Sequence, residues 1–499
     1  MTNDEERIKS SVENQEAVEK HEQTNVKLDP HGFPLRPQPS DDLMDPPNWN
    51  KWLKLWVLFQ VSFLAFLGPF TQAIINSAFH PLAVSMHITV VEASYQTTVP
   101  IVFAGLAPLL WSPISNVYGR RPIFVGVTVI GIAAHAASGA ARTWGGIIAA
   151  RVFVGIGSSV GMGIGAAVVA DLFFMHERGR YMGFYVVFVS NGAHLAAVVG
   201  GFVAKYAGWR WCYYLGAICL GASWLVNLFC LPETLYHRNV NMAPPNSQIN
   251  KSSWIGLLTF HGVGTRRKLK LWDFTHVFLM LKYPSVLFPA FCYSLSFGFG
   301  SVLFAVTGVA AFNGHYDFDT VGVGLAIGLS TFIGTLTGEI SAGPVSDWLL
   351  YLHRKRHDGD PVPEARLHAM WPGFILLPIG VIIEGVTLQY VTHWAGPVMG
   401  IGIAAFGLQI LSTNIFAYIT DCYKPQSAEI STLLNFGRQT FSFTLGFYSV
   451  PLAEETTWGI AWGIFAIIEC LTFVPIILLM YKGQKWRERL RAPDFHRDL

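Results

Sequence analysis

Ionisable side chains are scarce in the apolar stretches of this 499-residue chain, and the few that occur there are the first candidates for chemistry. Arg151 lies in one stretch, Glu339 in another, Glu429 and Arg438 in a third beside the neutral Asn435, and Glu384 and Glu469 in two more. Such a charge costs on the order of 2.5–3.5 kcal/mol at the centre of a membrane helix, so those retained mark solute or proton paths by default. Arg151, with Gly155 one turn on, could lower the proton affinity of a nearby acid or close a salt bridge in one conformation. Glu339 could face either a solute or a gate, and is the carboxylate candidate for proton coupling. Gln60, Gln72 and Asn76 share roughly one helical face. Of these, Gln72 and Asn76 join Asn414, Asn435 and Arg438 as candidates to line a cavity for an amphiphilic or charged organic solute. Glu384 and Glu469 read as paired structural acids, and His135 and His194 as packing histidines.

Other chemistries lack their residues. Cys212, Cys219, Cys230, Cys292, Cys422 and Cys470 show neither CxxC nor metal spacing and read as small apolar packers. There is no GxxxxGK[ST] for a nucleotide, and Gly157, Gly161 and Gly165 recur every four residues inside an apolar helix, where they favour close helix packing. No nucleophile stands with a base at a membrane boundary. The expectation is therefore a protein that is not an enzyme, with no cofactor, no metal and no nucleic-acid partner.

The elements that must position these residues are membrane helices. With 52% hydrophobic and 13% charged residues, 36 Phe and 16 Trp, the chain has more apolar side chain than one soluble core can bury. Runs of about 17–25 apolar residues, long enough to cross roughly 30 Å of hydrocarbon as helix, recur about twelve times in two groups of about six. The fold class expected is an all-α membrane protein of two six-helix bundles. Its expected division is a disordered cytosolic tail at 1–50, bundles at 51–231 and 284–481, a cytosolic linker at 232–283 and a tail at 482–499. Residues 1–50 lack a signal peptide, so the first span acts as an uncleaved signal.

Lys and Arg accumulate on one side of these spans: Arg120 and Arg121, Arg178 and Arg180, Arg266 to Lys270, Arg354 to Arg356, Lys424 and the closing basic stretch. By the positive-inside rule that side, with both termini, is cytosolic. The sequon at Asn250 then falls on the cytosolic side and goes unused. The halves also repeat one another, with SPISN at 112–116 and GPVSD at 343–347 near the ends of the second and eighth spans. Internal duplication of this kind goes with a solute site between the halves.

SPISNVYGRRP at 112–122 resembles the cytosolic loop signature of the major facilitator superfamily, G-x-x-x-D-R-x-G-R-R. Gly119, Arg120 and Arg121 match its end, while Ser112, Asn116 and Val117 stand where glycine, acid and arginine are usual. RVFVGIG (151–157) resembles the family's fourth-span R-x-x-x-G-x-G. DPPNW (45–49), DLFFMHERGR (171–180), GWRW (208–211), LPETL (231–235), YITDCY (418–423) and KWRERL (485–490) resemble the fungal drug:proton antiporter branch. The resemblance covers most of the chain and implies the major facilitator fold with alternating access. It also implies a cytosolic latch in which Gly119 makes the turn and Arg120 and Arg121 meet acids such as Asp171, Glu177, Asp421 or Glu429. Arg178 joins the latch in the first half, and Asp347 with the basic run 354–356 serves the second.

Gly183, Gly192, Gly200 and Gly201 match the branch's fifth-span glycine motif, but Ala196 and Ala197 replace its Gly-Pro and so remove a kink. The resemblance implies a proton-coupled secondary transporter, monomeric in kind with its family, that exports a drug-like compound or secondary metabolite across the plasma membrane. Its partners would be that solute, protons and the lipid bilayer. Two alternatives stand beside it: import of a cationic nutrient such as a polyamine, and a solute sensor without net flux.

Overall fold

The structure is a computed structural model that describes residues 45–236, 268–357, 363–423 and 426–490, with isolated positions beside these. The described chain is helical, with no strand among the described residues. The first six long helices are α1 (Lys51–Met86), α2 (Val90–Tyr118), α3 (Arg120–Ala140), α4 (Trp144–Leu172), α5 (Met175–Tyr206) and α6 (Trp209–Cys230). The second six are α7 (Pro284–Tyr316), α8 (Thr320–Ser346, helical on to His357), α9 (Pro363–Gln389), α10 (Ala395–Cys422), α11 (Ser427–Glu455) and α12 (Trp458–Leu490).

Eleven of them are long and apolar enough to cross a bilayer. The twelfth, α11, is as long as its neighbours but buries a polar row of Thr432, Asn435, Arg438, Gln439 and Ser442. Its polar face points into the protein. Elsewhere large apolar side chains such as Phe153, Phe229, Ile467 and Leu471 are exposed, as lipid-facing positions should be.

Local chemistry sets the helix ends. The Thr89 hydroxyl accepts from the Glu92 amide while the Glu92 carboxylate accepts from the Thr89 amide, a capping box that starts α2. The Asp319 carboxylate caps α8 by accepting from the Gly322 amide at 2.7 Å. Between α2 and α3 a single residue turns the chain, and Gly119 does so at φ 103, where a side chain would be strained.

Within the first half α1 packs on α5, and α3 on α4 and α6; within the second α10 packs on α8 and α9, and α9 on α12. Two further pairings join the halves, α2 with α11 and α5 with α8. Gly157 meets Gly131, and Gly161 lies against Ala65, so these glycines let helices approach closely. Two helices carry a single π turn, α7 at Gly298–Val302 and α8 at Leu325–Leu329.

Three expected boundaries move. Residues 45–50 are part of the packed structure, because Pro46–Asn48 form a 3-10 turn, Asp45 accepts from Ser40, and Asp45 and Trp49 are buried. Glu233 and Thr234, expected in a linker, are buried as well, and His276, Val277 and Met280 are buried further along that stretch. The last helix continues to Leu490, through residues expected in a tail. Residues 237–267, with Arg266 and Arg267, and Lys424 lie outside the described residues, as do most of residues 1–44 and 491–499.

Candidate functional site

At the basic end of the first half, the α2–α3 turn brings Arg120 against the end of α4. Arg120 Nε donates to Asp171 Oδ2 at 3.2 Å, and its Nη1 donates to Ser115 Oγ at 2.8 Å and to Asn116 Oδ1. Asn116 thus takes part as a neutral acceptor. Arg121 Nη2 donates to the Leu228 carbonyl at 2.6 Å.

Sequence reasoning gave Glu233 no role, yet it closes this arrangement. Its two carboxylate oxygens accept the backbone amides of Arg120 at 2.9 Å and Arg121 at 3.1 Å, which caps the N-terminus of α3 with an anion. Burial pushes the Glu233 carboxyl above its ordinary value, opposed by the amides of Leu235, Arg120 and Arg121. The signal was present in LPETL, an acid just past a span end.

The second half repeats the pattern with a residue that sequence reasoning missed. Arg366 Nε donates to Asp421 Oδ2 at 2.7 Å, and its Nη1 donates to Ser346 Oγ at 3.1 Å. Ser346 is the serine of GPVSD, matching Ser115 of SPISN, so the duplication is structural. Asp421 therefore partners Arg366 in its own half. Arg366 holds in this half the place that Arg120 holds in the first; the side chains of the run 354–356, expected to serve there, and of Asp347 lie outside the described residues. Glu364 pairs with Arg487 of α12 at 3.2 Å, tying the last helix to the third of its half as Glu233 does in the first. Arg178 Nη2 donates to the Ala170 carbonyl at 2.9 Å, and Glu177 lies within electrostatic reach of Lys54.

At the opposite end, contacts run between the halves. Lys205 of α5 meets Asp319 Oδ2 at 2.7 Å, and Thr320 Oγ1 donates to the Gly201 carbonyl at 3.2 Å. The lysine holds the Asp319 carboxyl below its ordinary value, helped by the Gly322 amide. Close packing continues down the seam: a Cβ on Gly201 would stand 2.5 Å from the Thr320 carbonyl oxygen. Ala197, in place of the proline of the motif it resembles, leaves α5 unbroken; its carbonyl accepts from Ser77 at 2.6 Å. Deeper still, Thr335 Oγ1 donates to Asn191 Oδ1 at 3.0 Å.

Arg151 is fully buried in the first half, but the acid expected beside it is replaced by dipoles. Its Nε donates to the Gln96 carbonyl at 2.6 Å, its Nη2 to the Gln72 carbonyl at 2.5 Å, and it lies 5.6 Å from the Tyr213 ring. Among the described residues no carboxylate pairs with it. Tyr213 Oη donates to Gln96 Oε1, Gln96 Nε2 to Thr97 Oγ1, Thr97 Oγ1 to Asn76 Oδ1 and Gln72 Nε2 to Ser158 Oγ. Gln72 and Asn76, expected in a cavity, are engaged in this network between α1, α2 and α4. His135 packs against Gly216, and both its ring nitrogens lack a protein partner among the described residues.

The carboxylates of the second half are distributed among helix pairs. Glu339 of α8 accepts from Gln409 and, at 2.8 Å, from Thr413 of α10. Glu384 accepts from the Trp462 indole at 2.7 Å and Glu469 from Ser296 at 2.5 Å, so the two acids find separate partners. Asn414 donates to the Ile410 carbonyl one turn back at 2.9 Å.

Arg438 sits where the halves meet and is 8% exposed. Its Nε and Nη2 donate to Asn435 Oδ1 at 3.2 and 3.0 Å, and Asn435 Nδ2 donates across the seam to the Ala104 carbonyl of α2 at 3.2 Å. The Phe297 ring lies 4.5 Å from the guanidinium, and Met162 Sδ of the first half 3.9 Å from Nη2. Tyr185 Oη donates to the carbonyls of Gly161 and Met162 beside it.

Comparison with known proteins places this geometry. A profile described as Major Facilitator Superfamily matches residues 61–447. The chain is 28% identical over 460 residues to the MFS transporter cpaT of Aspergillus oryzae, covering 89% of this chain and 90% of that one. It is 24% identical over 415 residues to the probable efflux pump mfs2 of Aspergillus flavus, 82% and 97% of the two chains. To the efflux pump radE of Floropilus chiversii it is 27% identical over 470 residues, 90% and 84%. A structure of the xylose transporter XylE from E. coli, described as a partially occluded inward open conformation, superposes with a TM-score of 0.61 at 12% identity, covering 86% of this chain and 99% of that one.

Proposed function

We propose, from the premise that this chain belongs to the Major Facilitator Superfamily, that it exports a small organic compound from the cell in exchange for protons. It is a multi-pass membrane transporter; the direction, the coupling ion and the plasma membrane as its location are our reading. Relatives named as efflux pumps support the direction.

One observation carries the mechanism: the ion pairs at the basic end stay within each half, Arg120 with Asp171 and Arg366 with Asp421, while Lys205–Asp319 joins the halves at the opposite end. Two bodies fastened to each other at one end suit alternating access, since the seam can open there only if contacts form elsewhere. With the basic end cytosolic by the positive-inside rule, this conformation is closed toward the outside. Arg120, Arg121, Asp171, Glu177 and Arg178 act as conformational residues around the Gly119 turn, and Asp347 as one in the second half.

Glu339 is our proton carrier, because its hydrogen bonds to Gln409 and Thr413 tie protonation to the packing of α8 on α10. Arg151 acts in coupling by holding α1 and α2 together through their carbonyls. Import of a cationic nutrient is disfavoured by Arg438, a like charge at the seam.

The test is reconstitution of the purified protein in liposomes holding a pH-sensitive dye, screened with organic cations, anions and neutral compounds. Proton movement opposite to an added solute is expected. Movement in the same direction would establish import, and binding without any flux would make the protein a sensor.

A further inference from the structure

The transport reading leaves the chemical class of the solute open, and resting on that reading we infer that the solute carries a carboxylate or similar anionic group, bound by the Arg438 guanidinium at the seam between the halves. Arg438 is a buried cation, and a buried charge needs a counter-charge or a full set of hydrogen bonds. Neither is supplied by the described protein. Nε and Nη2 share one neutral acceptor, Asn435 Oδ1, and among the described residues Nη1 has none. The acids that could have served are committed elsewhere: Glu339 to α10, Glu384 to Trp462, Glu469 to Ser296 and Asp421 to Arg366.

The arginine is also pre-aimed. Asn435 holds one edge of the guanidinium while anchored to the Ala104 carbonyl of the other half, which fixes the plane and leaves the Nη1 side for an incoming anion. Phe297, Met162 and Tyr185 around it offer apolar and aromatic surface. An anionic head on an aromatic or aliphatic body fits both parts of this environment; an ammonium would meet a like charge.

This site also spans the moving parts. Its groups come from α2, α4 and α5 of one half and α7 and α11 of the other, with Phe297 immediately before the π turn of α7. An anion bound at Nη1 would draw on a guanidinium whose other edge is tied through Asn435 to Ala104 of the other half, giving the solute differential affinity for two conformations, as any coupled solute must have.

The test uses the full chain in lipid nanodiscs and the matched probes 2-naphthoate, 2-naphthamide and 2-naphthylmethylammonium, read as ligand-induced thermal stabilisation by tryptophan fluorescence. We expect naphthoate to bind at least about tenfold more tightly than the amide, with that preference lost in Arg438→Gln and partly kept in Arg438→Lys. Ligand-free Arg438→Gln should unfold no earlier than wild type, because it removes an uncompensated charge. Failure of naphthoate to stabilise wild type up to millimolar concentration, equal binding of the amide or ammonium, or a preference that survives in Arg438→Gln overturns the inference. Naphthoate binding without proton-linked flux would sink the transport reading and keep this one. Proton-linked flux of neutral solutes untouched by Arg438→Gln would do the reverse.

Discussion

Arg366 is the counterpart of Arg120. Each sets Nε against the aspartate that ends the fourth helix of its half, at 2.7 Å for Asp421 and 3.2 Å for Asp171, and each donates Nη1 to the serine of the repeated motif. The pairs are partly buried, with the arginine side chains 17% and 9% exposed, so solvent screens them less than surface pairs. If both bias one conformational equilibrium, Arg366→Ala and Arg120→Ala should each lower flux by roughly 5–150-fold, the range of a coupling of about 1–3 kcal/mol. Flux in liposomes, normalised to inserted protein, checks this; an inactive Arg120→Ala beside a fully active Arg366→Ala breaks the equivalence.

Glu233 gives a pH signature. Its carboxyl is raised above 4.5 in the folded protein by burial, so the fold binds its proton more tightly than the unfolded chain does. The stabilisation this contributes is fully present below the unfolded value and is lost as pH rises through the folded value. Relative to Glu233→Gln, wild type should therefore gain in unfolding temperature as pH falls toward 4.5 and lose that gain as pH rises. A difference between the two proteins that is flat with pH contradicts the buried carboxyl.

The Lys205–Asp319 pair behaves oppositely and weakly. Asp319 is held below 3.8 mainly by Lys205, so its contribution is present above the unfolded value and is lost only as pH falls through the lowered one. Both side chains are about half exposed, so single neutral substitutions should shift the conformational balance modestly. Distances between spin labels at the Tyr206 end of α5 and the Thr320 end of α8 should lengthen in Asp319→Asn and return in the charge-swapped Lys205→Asp/Asp319→Lys double variant. Gly201→Leu, which drives a side chain into the Thr320 carbonyl, should lengthen them more.

Arg151 is predicted to act through two carbonyls and no acid. Arg151→Leu strips the donors from Gln72 and Gln96 and should cost about 1–3 kcal/mol for each group left unpaired, visible as a lower unfolding temperature together with impaired flux. Arg151→Lys keeps the charge but lacks the fork that reaches both carbonyls, and should fall between. Normal stability and flux in Arg151→Leu would remove it from the mechanism.

Helices and halves were legible in the sequence because bilayer thickness forces long apolar runs and duplication leaves motifs such as SPISN and GPVSD. Arg120 with Asp171 was legible only as one of several pairings, since Asp171, Glu177, Asp421 and Glu429 all stand near span ends. Arg366 was not: the chain between Ser346 and Arg366 is far longer than that between Ser115 and Arg120, and the nearer run 354–356 drew the assignment. Arg151 misled for another reason. Buried arginines suggest carboxylates, yet helix carbonyls can serve, and which way Gln72 and Asn76 face is decided by packing that one sequence does not display.

The polar row of α11 has a cost during synthesis. A segment excluded from the eleven apolar spans is a poor substrate for insertion by itself, whereas α12, the most apolar of the set, follows within a few residues. The two would enter the membrane as a hairpin, with α12 carrying its neighbour in and α2 then covering Asn435 and Arg438. The residues that would recognise the solute are therefore the last to be sheltered, and errors in biogenesis should concentrate at this final hairpin.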